Sequence, residues 1–264
     1  MDISIIIPVF NGSNTIKLLA EKIDKYLKDA NYSYEILFVD DNSNDASWEC
    51  IKNLCSDNIF IKGLKLNSNF GQHNAIMAGL NFSKGNFIIT MDDDLQHNPK
   101  YILKIVEKLK QGCNLCYCEY KNREHKLWKK VVSYIHNLIL SLGTQKSFNT
   151  YASSYRGFDK DLNSKIIKNK ESYIYLDILI LNHNPKIDKI SIIHEKRADG
   201  DSQYNFYKLF VLWFQMLKCI KLNFYNFTVL IILKTFASFF LYIFSSNSKK
   251  GKQFIIFKKI NLND

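Results

Sequence analysis

Three consecutive carboxylates, Asp92, Asp93 and Asp94, end the apolar run Phe87-Ile88-Ile89-Thr90-Met91 and lead into Leu95-Gln96-His97-Asn98-Pro99. Adjacent carboxylates repel one another, and burying them without a counter-charge is costly. At the end of a strand they have two simple explanations: a divalent cation held by hard oxygen ligands, or a solvated acidic turn. A second acidic cluster, Asp40-Asp41-Asn42-Ser43-Asn44-Asp45, closes another apolar run, Tyr34 to Val39. Asp177 stands alone in the apolar stretch Tyr175-Leu176-Asp177-Ile178-Leu179-Ile180, so its burial requires a partner. Cys113, Cys116 and Cys118 invite a zinc reading, but they alternate as strand residues do and no second Cys/His cluster lies at finger spacing.

The elements that must position these groups are read from the apolar periodicity. Ile3 to Val9, Tyr34 to Val39, a segment from about Ile59 to Leu66, and the run before Asp92 read as strands. Between them lie helix signals. Asn14 or Thr15 caps Ile16, Leu19, Ile23 and Leu27 at helical spacing, Ala75, Ala78, Gly79 and Phe82 follow the third strand, and Asn98-Pro99 opens a further helix. Such alternation indicates an α/β fold with a parallel sheet, whose ligands bind outside the carboxyl ends of the strands. Both acidic clusters then fall on one rim, which favours a site over a solvated turn. Neither a Gly-x-Gly-x-x-Gly nor a Gly-x-x-x-x-Gly-Lys-Ser/Thr pattern follows the first strand, which disfavours a dinucleotide fold or a P-loop.

The chain of 264 residues is 47% hydrophobic, enough for one large domain or a domain with an appendage. Its 36 Lys and Arg against 25 Asp and Glu leave a net charge of +11. An excess of that sign favours an anionic partner: nucleic acid, acidic lipid or a phosphorylated substrate. Nucleic acid is set aside, because the bases are dispersed and no recognition motif accompanies them. Ile3 to Val9 is too short for a secretory signal and follows Asp2. Six cysteines without a regular framework fit reduced thiols in a cytoplasmic protein.

Four segments, in order, carry a resemblance. Ile7-Pro8-Val9-Phe10-Asn11, Val39 to Ser47, Asn69-Phe70-Gly71-Gln72-His73-Asn74-Ala75 and Met91 to Pro99 together resemble the family 2 glycosyltransferases of the GT-A fold. Within that family, Gly71 to Asn74 and Asp94 to His97 are most similar to the polyprenyl-phosphate sugar transferases of the dolichol-phosphate-mannose-synthase type. The resemblance covers roughly residues 3 to 215.

What the resemblance implies is specific. A sugar from a nucleotide-diphospho-sugar would pass, with inversion, to a polyprenyl (undecaprenyl) phosphate at the cytoplasmic face of the membrane. Two alternatives are transfer to a sugar hydroxyl of a growing lipopolysaccharide or capsule chain, and non-catalytic sugar-nucleotide binding. Asp41 and Asp40 would meet the base, while Asp92 and Asp94, with Gln96, would hold Mg2+ or Mn2+ on the donor diphosphate. Asp93 occupies the variable middle position and is expected to tolerate change. Pro8, Asn11, Gln72 and Arg156 would belong to the nucleotide-sugar site. Arg197, Ser202 and Tyr204 match a loop that covers the diphosphate. Arg123 and Lys130 match positions where bases bind the acceptor phosphate or the departing diphosphate, and Asp177 is a candidate general base. Asn42 stands where the family usually has Gly, and Asn tolerates positive φ.

The expected architecture is therefore an α/β GT-A domain over residues 1–205, with a mostly parallel central sheet flanked by helices. Residues 206–264 are expected to add C-terminal apolar helices and a basic tail. Tyr204 to Leu222 combines Phe, Leu and Trp213 with Lys208, Lys218 and Lys221, as interfacial helices do. Phe227 to Phe244 is of marginal length for a span, and a single span would export the lysines beyond it. A hairpin or helix pair on anionic inner-leaflet lipid is the favoured reading, ahead of a buried core helix or a true span. A homo-oligomer is left open.

Overall fold

The structure is a computed structural model that describes residues 1–120, 153–171, 174–193 and 254–262. Strand β1 (Ile3–Val9) is buried at every position, so its side chains are enclosed on both faces of the sheet. Ile3, Ile5, Ile7 and Val9 point into one core and Ile6 into the other. Parallel to β1 run β2 (Tyr34–Asp40) on one side and β4 (Phe87–Thr90) on the other, while β3 (Ile61–Leu66) lies beside β2. Helices α1 (Ile16–Leu27), α2 (Ser47–Asp57), α3 (Gln72–Phe82) and α4 (Ile102–Lys110) make the connections. The first, second and fourth pack over the Ile5 face, and α3 packs over the Ile6 face.

Beyond β4 the sheet continues through β6 (Arg156–Asp159), β5 (Leu115–Tyr120) and β7 (Ile187–Ile192). The full order is β7-β5-β6-β4-β1-β2-β3-β8, where β8 is Ile256–Ile260. The sheet is mixed: β6 is antiparallel to β4 and β5, and β8 is antiparallel to β3. Two short helices, α5 (Lys160–Ile166) and α6 (Leu176–Asn182), cover the second half on the α3 face. Asp159 caps α5 by accepting the Leu162 N–H at 2.7 Å.

Pro8 sits within β1 without losing a ladder bond. The Ile6 carbonyl accepts the Met91 N–H, so residues of that parity face β4. The β1–β4 ladder ends at Ile6–Thr90, and Pro8 lies just past it.

The expectation of C-terminal apolar helices is corrected. Among the described residues no helix is long and apolar enough to cross a membrane. The described end of the chain, expected as a basic tail on a leaflet, is instead the sheet strand β8. A free β3 edge presents unpaired N–H and C=O groups, and β8 satisfies them. Ile256 and Ile260 pack onto the two cores, whereas Phe257, Lys258 and Lys259 are exposed. Asn261 fastens the strand end, its amide donating to the carbonyls of Cys55 (2.7 Å) and Ile61 (2.9 Å). The stretches 204–222 and 227–244 lie outside the described residues.

At the amino end of the strands sits a polar cluster that apolar patterning does not announce. Glu35 is fully buried and pairs with Lys62. It also accepts the Ser4 hydroxyl and the Lys84 N–H (2.7 Å), and Ser4 Oγ accepts the Gly85 N–H (2.7 Å). Each buried polar group thus finds a partner, and the turn into β4 is held in place.

Candidate functional site

The carboxyl ends of β1, β2, β3 and β4 meet at one rim, and the loops leaving them are tied to each other by side-chain hydrogen bonds. Asn11 adopts φ 56° at the turn after β1, and its side-chain oxygen accepts the Asn44 N–H at 2.9 Å. The Asn11 N–H donates to Ser43 Oγ (2.9 Å) and the Gly12 N–H to Ser47 Oγ (2.9 Å). Asp45 accepts from the Ser13 N–H and from both the N–H and hydroxyl of Ser47. Burial would raise the Asp45 carboxyl, but the bonds from Ser47 and Ser13 outweigh it and hold the group below the ordinary carboxylate range. Asn42 has φ 60°, so the turn expected to survive a Gly-to-Asn departure is formed in the left-handed region.

The two aspartates that end β2 have different surroundings. Asp40 accepts the Ser43 N–H at 3.0 Å, and Lys65 Nζ lies 3.4 Å from its other oxygen. Asp41 spans the Phe70 and Gly71 N–H groups, one to each carboxylate oxygen, both at 2.7 Å. That grip shapes the turn into α3, where Gly71 takes φ 87°, a conformation a side chain would strain. It delivers Gln72 to the first helical position, and Gln72 Nε2 donates to Asp92 Oδ1 at 2.6 Å. The resemblance implied a base contact for Asp41; in the structure its carboxylate builds the loop that reaches Asp92.

Asp92 is the meeting point. Its second oxygen accepts the Ser154 hydroxyl at 2.7 Å. Ser154 is placed by the antiparallel β4–β6 register, in which Thr90 pairs with Arg156, and by Thr90 Oγ1 donating to the Ser154 carbonyl (2.7 Å). Asp93 lies against the β1 loop, so close that a Cβ on Gly12 would collide with its carboxylate. Asp94 accepts the Gln96 N–H at 3.1 Å. Leu95, at φ 64°, turns the chain, and the Asp92 N–H then donates to His97 Nδ1 at 2.9 Å. Asn98 caps the Pro99–Tyr101 turn as expected, accepting the Lys100 N–H at 2.9 Å.

Asp177 has the partner its burial required. It pairs with Arg156, which is 1% exposed, and accepts the Tyr117 hydroxyl at 2.8 Å. Burial disfavours the charged guanidinium, yet the adjacent Asp177 outweighs it and raises Arg156 above its ordinary value. Burial and then the Asp177 charge push the Tyr117 phenol well upward. Cys116 and Cys118 are buried β5 residues, and burial drives the Cys116 thiol up to about 12, away from the thiolate that zinc needs.

Pro8, Asn11, Asp40, Asp41, Gln72, Asp92, Asp94 and Gln96 thus share one rim, with Arg156 buried one strand away. Arg123, Lys130, Arg197, Ser202 and Tyr204 lie outside the described residues. Ser154, His97 and Tyr117 were not singled out from the sequence. For His97 the signal was its place in Asp94-Leu95-Gln96-His97, and for Ser154 its spacing two residues before Arg156.

This arrangement suits a hard divalent cation. Mg2+ and similar ions are held by one or two carboxylates together with substrate phosphate oxygens rather than by a complete protein cage. Among the described residues no group of three or more His, Cys, Asp and Glu forms such a cage. Asp92 and Asp94 are carboxylates of the kind such a site would use.

The sequence profile described as Glycosyl transferase family 2 matches residues 4–167, a stretch that contains the whole rim. The chain belongs to that family. Among its relatives, an undecaprenyl-phosphate 4-deoxy-4-formamido-L-arabinose transferase of Photorhabdus laumondii is 32% identical over 219 residues, covering 83% of this chain and 67% of the relative. The enzyme of that name from Pectobacterium atrosepticum is 33% identical over 220 residues, with coverage of 83% and 67%. Among solved structures, glucosyl-3-phosphoglycerate synthase of Mycobacterium tuberculosis, crystallised with Mn2+, UDP and phosphoglyceric acid, superposes with a TM-score of 0.61. It is 14% identical and covers 84% of this chain and 79% of its own, a likeness of fold. The fold of this family 2 chain is therefore similar to that of the mycobacterial synthase.

Proposed function

We propose that this family 2 protein transfers a sugar from a nucleotide-diphospho-sugar to a polyprenyl phosphate, with undecaprenyl phosphate the favoured acceptor. One observation carries the reading: Asp92 at the β4 end is held jointly by Gln72 from α3 and Ser154 beside β6, with Asp94 next to it and the Asp40–Asp41 turn on the same rim. The names of the relatives support the acceptor, and the Mn2+ in the mycobacterial structure supports a divalent cation.

In this account the Asp40–Asp41 turn receives the base, and Asp92 and Asp94, with Gln96, hold Mg2+ or Mn2+ on the donor diphosphate. Held there, such a cation would offset the charge that develops on the departing nucleoside diphosphate. Asn11, Pro8 and Gln72 line the donor side, and Arg197, Ser202 and Tyr204 close over the diphosphate. Arg123 and Lys130 receive the acceptor phosphate. An acceptor phosphate oxygen forms the new bond to the anomeric carbon as the bond to the diphosphate breaks, so configuration inverts. A phosphate monoester is already ionised at neutral pH and needs no general base, which agrees with an Asp177 committed to Arg156 and Tyr117.

The reading puts the chemistry at the cytoplasmic face of the membrane, peripheral or shallowly inserted, with anionic inner-leaflet lipid as a partner. Asp94→Ala is expected to lower metal-dependent sugar-nucleotide turnover by about 100-fold or more, the scale on which loss of one stabilising group acts on developing charge. Asp93→Ala is expected to retain most of it. Full turnover in Asp94→Ala would remove that residue from the site.

A further inference from the structure

We infer that His97 is a positioning residue that sets the direction of the cation-binding carboxylate of Asp92. The inference rests on the reading of Asp92 and Asp94 as cation ligands. Asp92 lies two residues past the end of β4, beyond Met91 and the last bond to β1, so its N–H needs another acceptor. His97 Nδ1 provides it at 2.9 Å, closing the turn from Asp92 to His97. A ring nitrogen that accepts a hydrogen bond carries no proton, so in the neutral ring the proton resides on Nε2. Nε2 lies 3.8 Å from Asp92 Oδ2, so one imidazole faces both the backbone and the side chain of the same residue.

The ring itself is fixed. His97 is 4% exposed and stacks on Tyr155, with centroids 4.9 Å apart and planes 21° apart. Tyr120 lies beyond at 6.3 Å and 23°. Tyr155 is in turn anchored, its hydroxyl donating to the Asn98 carbonyl at 3.0 Å. Leu95, a branched residue held at φ 64° and 6% exposed, shows that the turn is maintained by its surroundings rather than by local preference. Gln72 and Ser154 engage the two Asp92 oxygens from outside the turn, and His97 fixes the turn from within. Groups that orient a metal ligand in this way are worth about 10- to 100-fold in metal affinity.

The test separates the hydrogen bond from the ring. His97→Phe keeps an aromatic ring for the Tyr155 stack and loses the acceptor. His97→Asn places an amide oxygen near the position of Nδ1, whereas His97→Gln places it near Nε2. Each full-length protein is titrated with Mn2+ at fixed UDP, and the bound ion is read by electron paramagnetic resonance, with metal-free thermal melting as the folding control. Binding about 10-fold or more weaker in His97→Phe and His97→Gln, with His97→Asn close to the native protein, is the expected result. If His97→Phe fails to fold, the Asn and Gln pair decides. Equal Mn2+ affinity in all folded variants would overturn the role of His97 while leaving the cation site standing. Absence of bound Mn2+ in the native protein, with Asp92→Ala no different, would overturn both.

Discussion

Residue by residue, the acidic run divides into distinct tasks. Asp92 is held by Gln72, Ser154 and His97, Asp93 lies against Gly12, and Asp94 folds back on the Gln96 N–H. The sequence showed these carboxylates at a strand end and showed that Asp177 needed a partner. It did not show which partner, because Arg156 and Tyr117 reach Asp177 only through β6 and β5 pairing. That pairing changes what Asp177 is expected to do. Removing one member of a buried ion pair leaves the other charged and uncompensated, at a cost of about 3–5 kcal/mol. Asp177→Asn is therefore expected to lower stability on that scale in urea denaturation, while folded protein at low temperature keeps substantial turnover. Lost turnover at native stability would instead make Asp177 the base that a sugar-hydroxyl acceptor requires.

Among the elements, β1 to β4 and helices α1, α3 and α4 were legible, because apolar runs of strand type alternate there with helically spaced ones, whereas α2 was not read. A later strand and a buried polar cluster were also missed. β8 is a short segment with two isoleucines at its ends and lysines between, and it becomes a strand only because β3 offers an open edge far away in sequence. The Ser4–Glu35–Lys62 cluster was hidden because its members are spread over three strands and meet only when the sheet forms. The loops at the other end of the sheet carry a pH dependence. The Asp45 carboxyl is lower in the folded protein than in the unfolded chain, so its contribution is complete above about pH 4 and is lost as pH falls through the folded value. The native denaturation midpoint is expected to fall more steeply between pH 5 and pH 3, taken as about the titration range of carboxylates, than that of Asp45→Asn. Parallel curves would show that the Asp45 bonds to Ser13 and Ser47 do not hold the loop in solution.

Across the described residues, an eight-stranded mixed sheet gathers the two acidic clusters at one rim while β8 pairs onto the β3 edge. The excess of positive charge read from composition fits the anionic donor, acceptor and lipid surface proposed for it. The family and the parallel half of the sheet were readable from four short segments in order; the return of the chain end to the sheet was not, because it depends on an edge rather than a motif. The most direct measurement of the central claim uses purified full-length protein with radiolabelled sugar nucleotides, undecaprenyl phosphate in detergent, and either Mg2+ or Mn2+. Label from one donor is predicted to enter the lipid extract only when both the polyprenyl phosphate and the cation are present. Label released from the nucleotide that never partitions into lipid, or transfer that persists in excess chelator, would contradict the account.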